Sequence, residues 1–350
     1  MSPFPREAFK PLSRYTPDRR PSEVDLSDNT NRWGAHPAAM EIVRSAEEMD
    51  LNRYPSVYAD ALREAVAKRY GVPVDCIVTG CGSDDLLDQA LRAICDPGEG
   101  VAYIPPTFSM VEIFAKINGL VEIPVREGDI PAPERLLDAD PALVYVCRPN
   151  NPTGEVVPRS WVERLLEAAG SDGPIVLLDE AYAEFADDDF VEEAAGSRRL
   201  LVLRTFSKAF GLAGLRVGYA IGPTEVVAEV EKSRGPYKVS RIAERAAVAA
   251  LADDARWVPS IVAKVRSGRE RLAEALHARG LQPVPSGANF ILVPLPDGRR
   301  AVPTKNELRE RGVAIRPFSN LPGFGDAIRI SIGPGAEMER FLEALDEVLA

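Results

Sequence analysis

The amino-acid sequence predicts an α/β fold in two parts, a large domain around a mainly parallel sheet and a smaller α+β domain. Three observations carry that expectation. Short, continuously apolar runs alternate with longer segments of helical periodicity through the first 250 residues. Several of those runs lead directly into turn-forming segments rich in glycine, asparagine or acidic residues. Near residue 250 the texture changes, and a long charged helical pattern replaces the alternation. A chain of 350 residues has room for one large core and one smaller one.

Taken in order, the first thirty-odd residues are rich in proline and charge and have little periodicity. Segment 1–35 is expected to lie across another part of the fold, the alternative being a disordered arm. Residues 36–250 form the expected large domain. Its buried strands are read at 77–79, 101–104, 143–146, 175–178, 200–203 and 217–221. Their apolarity is continuous rather than alternating, which means that both faces are covered. Helical patterns at 84–94 and 160–169 fall between them, the order of a parallel sheet. Residues 251–350 form the expected small domain. It holds one charged helix over 255–279, an extended stretch over 281–295, and a last helix with Met338, Phe341, Leu342, Leu345 and Val348 on one face.

Composition removes several function classes. Hydrophobic residues are 45% and charged residues 27%, ordinary for a soluble globular protein. A net charge of -11 argues against a sequence-independent grip on nucleic acid or on an anionic membrane. No run approaches the length of a membrane span, and Met1 to Arg6 contains no apolar signal core. Cys76, Cys81, Cys95 and Cys147 lack paired metal-type spacing, so four reduced thiols in a cytoplasmic protein and no metal are expected. His36 and His277 are the only histidines, and both read as solvated. A histidine zinc site and a Ser-His-Asp hydrolase therefore find no support. The remaining proton carrier for an enzyme is lysine.

Residues 205–216, Thr-Phe-Ser-Lys-Ala-Phe-Gly-Leu-Ala-Gly-Leu-Arg, hold the strongest candidate. An amine among apolar residues loses proton affinity, because burial disfavours the ammonium, and such an amine attacks carbonyls to form imines. The hydroxyls of Thr205 and Ser207, with the guanidinium of Arg216, suit a phosphate next to Lys208. An imine-forming amine beside a phosphate site is what pyridoxal 5'-phosphate requires. The bland account is a lysine on a buried face with a salt-bridged arginine.

Four further segments fit the same cofactor. Gly80 to Asp85 follows a strand and opens a helix, where glycine lets backbone amides approach an anion. Asn150-Asn151-Pro152-Thr153-Gly154 is a tight turn beyond a strand, where α/β folds place ligands. Asp179 stands at the end of a buried strand, where a carboxylate is costly unless paired, and Tyr182 follows three residues later. Arg316 and Arg329 interrupt strand-like runs, and arginine forks recognise carboxylate or phosphate. Each segment alone also has a structural account: Ser83 as an N-cap, turn chemistry at 150–154, Asp179 as the cap of a following helix, and arginines on a strand surface.

Together, and in this order, these segments resemble the fold-type I pyridoxal-phosphate enzymes. The T-F-S-K-A-F-G-x-x-G segment is similar to the signature of the class II aminotransferases. In length and motif order the whole chain resembles the histidinol-phosphate aminotransferase family. Asn52-Arg53-Tyr54-Pro55, Gly82-Ser83-Asp84, Pro105-Pro106-Thr107-Phe108, Asn151 to Gly154, Asp179 to Tyr182, Ser207-Lys208 and Arg329 to Gly333 carry that resemblance.

The resemblance implies an aspartate-aminotransferase-like fold and a cytoplasmic homodimer with active sites at the subunit interface. Its reaction would be amino transfer from glutamate to imidazole-acetol phosphate, in amino-acid biosynthesis. It implies that Lys208 forms the Schiff base and moves the proton, and that Asp179 keeps the pyridine nitrogen protonated. Asn151 and Tyr182 would bind the ring's phenolic oxygen, and Phe108 would stack on the ring. Gly82, Ser83, Asp84, Ser207 and Arg216 would hold the cofactor phosphate, with Tyr54 reaching over from the neighbouring subunit. Arg329, helped by Arg316 and Tyr15 and next to Asn151, would take the substrate's anionic group. A decarboxylase, a lyase or a differently specific aminotransferase of a secondary pathway is the alternative on the same scaffold. A regulator would need a DNA-binding module, for which the chain offers no basic helix-turn-helix.

The chain also departs from the family pattern. Phe108 stands where tyrosine is frequent. Arg32 and Trp33 replace proline and tyrosine in Asn29-Thr30-Asn31-Arg32-Trp33-Gly34, which adds a cation and a bulky ring near the expected substrate entrance in segment 1–35. Lys238 replaces an asparagine.

Overall fold

The structure is a computed structural model. It describes residues 4–349 apart from Tyr15, Pro17, Arg19, Glu127, Gly128, Asp129 and Asp254.

A seven-stranded sheet, built entirely from residues 77–221, forms the centre of the fold. Its spatial order is Ile77–Gly80, Gly218–Ile221, Leu200–Thr205, Ile175–Asp179, Leu143–Cys147, Gly100–Tyr103 and Val121–Pro124. Only Gly218–Ile221 runs against the rest; it pairs antiparallel with both of its neighbours. The six apolar runs read from the sequence are all strands. The seventh strand, Val121–Pro124, was not anticipated. It lies at the sheet edge, with Val121 and Pro124 exposed, so it lacks the continuous burial that marks the others.

Helices cover both faces. On one side Leu86, Leu87 and Leu91 of Ser83–Ile94 pack with Val111 and Val227 against Tyr145, Leu177 and Leu203. On the other, Trp161 and Leu165 of Arg159–Ala169 pack with Phe190 against Val144, Val176 and Val202. Leucine or valine buried at this completeness contributes about 1.5–3 kcal/mol per side chain, which makes this double layer the main stabilising element.

A second, three-stranded antiparallel sheet orders Arg316–Leu321, Gly325–Ser331 and Phe290–Pro294. Only the end of the stretch expected to be extended, 281–295, forms a strand. The long charged helix is Trp257–His277, with Val258, Ile261, Val265, Leu272 and Leu276 buried. The last helix, Gly335–Leu349, buries Met338, Phe341, Leu345 and Val348 as their spacing predicts.

The N-terminal segment crosses the fold as the first of its two expected states. Val24–Asp25 pairs parallel with Val313–Ala314. Beyond it, Ser331 N donates to Leu26 O (3.0 Å) and Asn29 N donates to Ser331 Oγ (2.9 Å). His36 is a correction. It is fully buried rather than solvated, and its Nδ1 accepts from Ala38 N (3.2 Å) as the N-cap of Pro37–Arg44. His277 is exposed.

Arg204 anchors the loop after Ile175–Asp179. Its buried guanidinium donates to Glu180 Oε2 (2.9 Å) and Glu184 Oε1 (2.9 Å). A buried cation survives only when paired in this way, so the network holds the loop that follows Asp179.

Gly218 ties sheet to site. A Cβ there would lie 2.8 Å from Arg204 O, 2.9 Å from Gly82 C and 2.9 Å from Ser83 N, all main-chain atoms. Gly218→Ala is expected to lower stability by about 1–3 kcal/mol. Gly196→Ala, where a Cβ meets nothing within 4 Å, should fall within about 0.5 kcal/mol of wild type. Urea denaturation midpoints of the two variants check both values.

Candidate active site

The site gathers at the C-terminal ends of the parallel strands, the position α/β sheets give to ligands. The loop between Ile77–Gly80 and helix Ser83–Ile94 makes its anion cradle. Gly82 is the N-cap, with φ 84° and no side-chain cap, so Ser83 is the first helical residue and not the cap. Asp85 Oδ2 accepts from Cys81 N (2.9 Å) and fixes the loop. Thr205 and Ser207 approach from the end of Leu200–Thr205, two strands away from Ile77–Gly80. Thr205 Oγ1 donates to Ser207 Oγ (3.0 Å), and Arg216 Nη1 donates to the same Ser207 oxygen (3.3 Å). Arg216 Nη2 reaches Cys81 O (3.4 Å) and lies 3.6 Å from Asp84. A Cβ on Gly82 would stand 2.5 Å from Arg216 Nη2, so only glycine lets the guanidinium close on the loop. Helix N-terminus, two hydroxyls and a guanidinium converge on one point, which is the chemistry of a phosphate site.

Asp179 ends its strand 4% exposed. Its Oδ1 accepts from Ala181 N (3.1 Å), a local turn bond, and its Oδ2 accepts from Tyr145 Oη (2.8 Å). Among the described residues it forms no ion pair. Burial pushes its carboxyl up to about 6, against the downward pull of Tyr145, Ala181 and the charge of Lys208. An ionised carboxylate held there lacks a positive partner.

Lys208 follows Ser207 into the same space. Its Nζ donates to Asp28 O (3.4 Å) and lies 5.4 Å from the centre of the Tyr182 ring. Tyr182 is buried and stands edge-on to Phe290 at 5.2 Å. Its hydroxyl accepts from Asn29 Nδ2 (3.0 Å), which leaves the hydroxyl hydrogen free for a ligand. Asn29, at φ 57°, is itself held by Ser331 and by Asn289, whose Nδ2 donates to Asn29 O (3.0 Å). Phe108 is half-buried beside the turn. Thr107 Oγ1 donates to Asn150 Oδ1 (2.9 Å), which ties that loop to residues 150–154.

Arg329 and Arg316 are direct cross-strand partners. Arg329 is buried; its Nη1 donates to Asn151 Oδ1 (2.5 Å) and its Nη2 to Ser27 O (3.0 Å). Its guanidinium lies 5.1 Å from the Phe290 ring centre and 5.6 Å from that of Phe318. The bond from Arg329 uses the Asn151 oxygen and leaves its NH2 group as a donor. The two arginines share one cross-strand position, and guanidinium forks recognise carboxylate or phosphate.

Other expected residues stand apart. Tyr15 lies outside the described residues. Tyr54 is 78% exposed and stacks on Tyr237 at 4.7 Å. Arg32 is not the loose cation its sequence position suggested, because Glu337 takes both its Nε (2.9 Å) and Nη2 (2.8 Å). Trp33 packs against the main core. Lys238 is likewise neutralised, by Asp85 Oδ1 at 2.8 Å. Two residues escaped the sequence reading. Asn29 was visible as the start of an N-x-N run, but its partner Tyr182 lies 153 positions away. Tyr145 reads as one more apolar strand residue, and nothing local points to Asp179.

Lysine, buried aspartate and glycine cradle, set at the C-terminal ends of the parallel strands, define an aspartate-aminotransferase-like enzyme of fold type I. The chain matches the family profile described as "Aminotransferase class I and II" over residues 21–345. It is 40% identical over 339 residues to the histidinol-phosphate aminotransferase of Roseiflexus castenholzii, covering 93% of this chain and 89% of that one. It is 36% identical over 361 residues to the aromatic amino acid aminotransferase of Streptomyces coelicolor, covering 99% and 98%. Its fold matches the crystal structure of histidinol-phosphate aminotransferase from Sinorhizobium meliloti in complex with pyridoxal-5'-phosphate. The TM-score is 0.89 at 28% identity, covering 100% of this chain and 98% of the other. The protein belongs to the class I and II aminotransferases, and it is an aminotransferase.

The raised Asp179 carboxyl has a consequence for the ligand-free protein. Protonation stabilises the folded state below the ordinary value of 3.8, and that contribution is lost as pH rises through about 6. Asp179→Asn should remove that dependence. Its stability should fall less between pH 4 and pH 7 than wild type, by roughly 2 kcal/mol, in urea denaturation.

Proposed function

We propose that this aminotransferase interconverts histidinol phosphate and imidazole-acetol phosphate, with glutamate as amino donor. The cofactor of the enzyme is pyridoxal 5'-phosphate, and the site fits it on three counts. The Gly82 cradle closes on Arg216 and Ser207 at a spacing that a Cβ would fill. Asp179 is a buried carboxylate with two donors and no cation. Lys208 Nζ stands over the Tyr182 ring, at 5.4 Å from its centre. When bound, the cofactor supplies an electrophilic carbon and an electron-accepting ring.

The chain's own residues do the rest. Gly82, Ser83 and Asp84 offer amides to a phosphate, while Thr205, Ser207 and Arg216 close its other side. Asp179 sets a negative charge against the ring nitrogen and keeps its proton in place. Tyr182 and Asn151 donate to the phenolic oxygen, and Phe108 covers one face of the ring. Lys208 Nζ, oriented by Asp28 O, takes the proton from the substrate α-carbon and returns it on the other side of the transfer. Arg329, with Arg316 as its cross-strand partner, fixes the anionic end of the substrate.

The observation that carries the substrate reading is the Arg316–Arg329 cross-strand pair next to Asn151. Two arginines at one cross-strand position can offer their forks to a carboxylate or phosphate. The relative from Roseiflexus castenholzii supports a phosphorylated partner. A second reading, transfer to aromatic 2-oxo acids, is favoured by the Streptomyces coelicolor relative and by Phe290 and Phe318 against Arg329. Reactions of the decarboxylase or lyase type would leave no keto acid in step with the amino donor.

The exposed ring of Tyr54, with Met49 and Leu51 exposed nearby, supports a homodimer in which Tyr54 reaches the partner's phosphate cradle. The division is 36–250 as cofactor domain and 251–350 as small domain, with 1–35 lying over the substrate side. Four free thiols fit a cytoplasmic enzyme.

Lys208→Ala should abolish transamination together with the cofactor's imine absorbance; turnover that survives would remove Lys208 from its role. Arg329→Ala should raise KM for the anionic partner about tenfold or more while cofactor content stays near wild type. Comparing kcat/KM for imidazole-acetol phosphate with that for an aromatic 2-oxo acid decides between the two readings. A clear preference for the aromatic acid would overturn the phosphate assignment.

A further inference from the structure

Tyr145 lies in strand Leu143–Cys147 and is almost fully buried. Cys147 is in register with Asp179 on the next strand, so Tyr145 stands one pleat upstream of Cys147 on the same face of the sheet. That diagonal is within reach of a long aromatic side chain. The ring extends along the sheet, and the hydroxyl meets Asp179 Oδ2 at 2.8 Å. A phenolic hydroxyl buried in an apolar layer needs a partner, and this one has a carboxylate. Phenylalanine would fill the same layer of Leu177, Leu203 and Val101 without cost. The hydroxyl therefore serves the carboxylate rather than the core.

We propose that Tyr145 is a positioning residue for the cofactor: its hydroxyl holds the Asp179 carboxylate in the orientation and charge state that a protonated ring nitrogen requires. The inference rests on the pyridoxal-phosphate reading of the site. The two oxygens of Asp179 divide their work. Ala181 N fixes Oδ1 from the loop, and Tyr145 fixes Oδ2 from the sheet. Each oxygen keeps a further lone pair for the ring N–H, so Tyr145 does not compete with the cofactor. The other groups that act on Asp179 are Cys147 on the adjacent strand, Asp84 at the cradle helix and Lys208 on the loop. Asp84 disfavours ionisation and Lys208 favours it. Cys147 Sγ itself donates to Pro149 O (3.3 Å), and burial holds its thiol well above the usual range, so it stays neutral. Tyr145 is the one side-chain donor the fold aims at this carboxylate among the described residues.

Losing that donor makes the ionised form of Asp179 harder to hold in the cofactor-free protein. At alkaline pH, Asp179 is ionised with or without Tyr145, and binding hardly changes. In acid, a larger share of the variant must first lose a proton before it can pair with the ring nitrogen. The expected signature is thus a loss of affinity that grows as pH falls.

The test is equilibrium binding of pyridoxal 5'-phosphate to the cofactor-free full chain, wild type and Tyr145→Phe, between pH 5.5 and 8.5. With the carboxyl moved up by about one unit, the variant should bind about fivefold more weakly than wild type at pH 6 and within twofold at pH 8.5. Tyr219→Phe is the control. It removes a buried sheet hydroxyl whose partner is Tyr70 Oη (2.9 Å), and its affinity ratio to wild type should stay flat with pH. A flat ratio for Tyr145→Phe, whether near one or uniformly reduced, would overturn the assignment. Thermal melts confirm that both variants are folded. Wild type that fails to bind the cofactor would sink the pyridoxal-phosphate reading instead, so the two failures are distinct.

Discussion

Asp179 ends a strand buried on both faces, and among the described residues its carboxylate meets two hydrogen-bond donors and no ion-pair partner. A charge removed from water in this way costs several kcal/mol unless something answers it. The surrounding fold holds the carboxylate in place without neutralising it. Arg204, the nearest buried guanidinium in sequence terms, is spent on Glu180 and Glu184, and Lys208 stands off toward Asp28 and Tyr182. Under the function proposed above, the ring nitrogen of the cofactor would supply the answering positive charge. The same economy explains why the cradle closes on Arg216 only through glycine, and why Arg329 and Arg316 face each other across two strands.

The second organising element is the N-terminal segment 26–31. Ser27 and Asp28 offer carbonyl oxygens to Arg329 and Lys208, Asn29 donates to Tyr182, and Asn31 Nδ2 donates to Ala209 O (2.9 Å). One short stretch thereby touches Lys208, Tyr182 and Arg329, the three residues to which the proposed function gives the proton, the ring oxygen and the substrate anion. Its own position is fixed by Ser331 and Asn289, and Arg32 is clamped to Glu337 on the last helix. Cofactor side and substrate side are coupled through backbone rather than through a chain of charged side chains.

Much of this was legible in the sequence. Continuous apolar runs located six strands because full burial leaves no polar alternation. Lys208, Asp179 and Gly82 could be singled out because each is chemically out of place in its local setting. What stayed hidden depends on partners distant in sequence. Val121–Pro124 is an edge strand with two exposed residues, so its pattern resembles a loop. Arg32 and Lys238 look like free cations until Glu337 and Asp85 are brought to them. His36 is polar by type, yet it is buried against Phe210 and Trp257 while capping a helix. The Tyr145 hydroxyl is invisible within an apolar strand, since only strand register brings it to Asp179.

The contact between Asn29 and Ser331 spans 302 positions. The entropic cost of closing such a stretch rises only slowly with its length, but the contact can form only after residue 331 has left the ribosome. The central sheet is complete in sequence by residue 221 and can assemble well before that. During synthesis the molecule therefore passes through a period in which its scaffold exists but segment 26–31 still lacks Asn289 and Ser331, the anchors that hold it beside Lys208 and Tyr182.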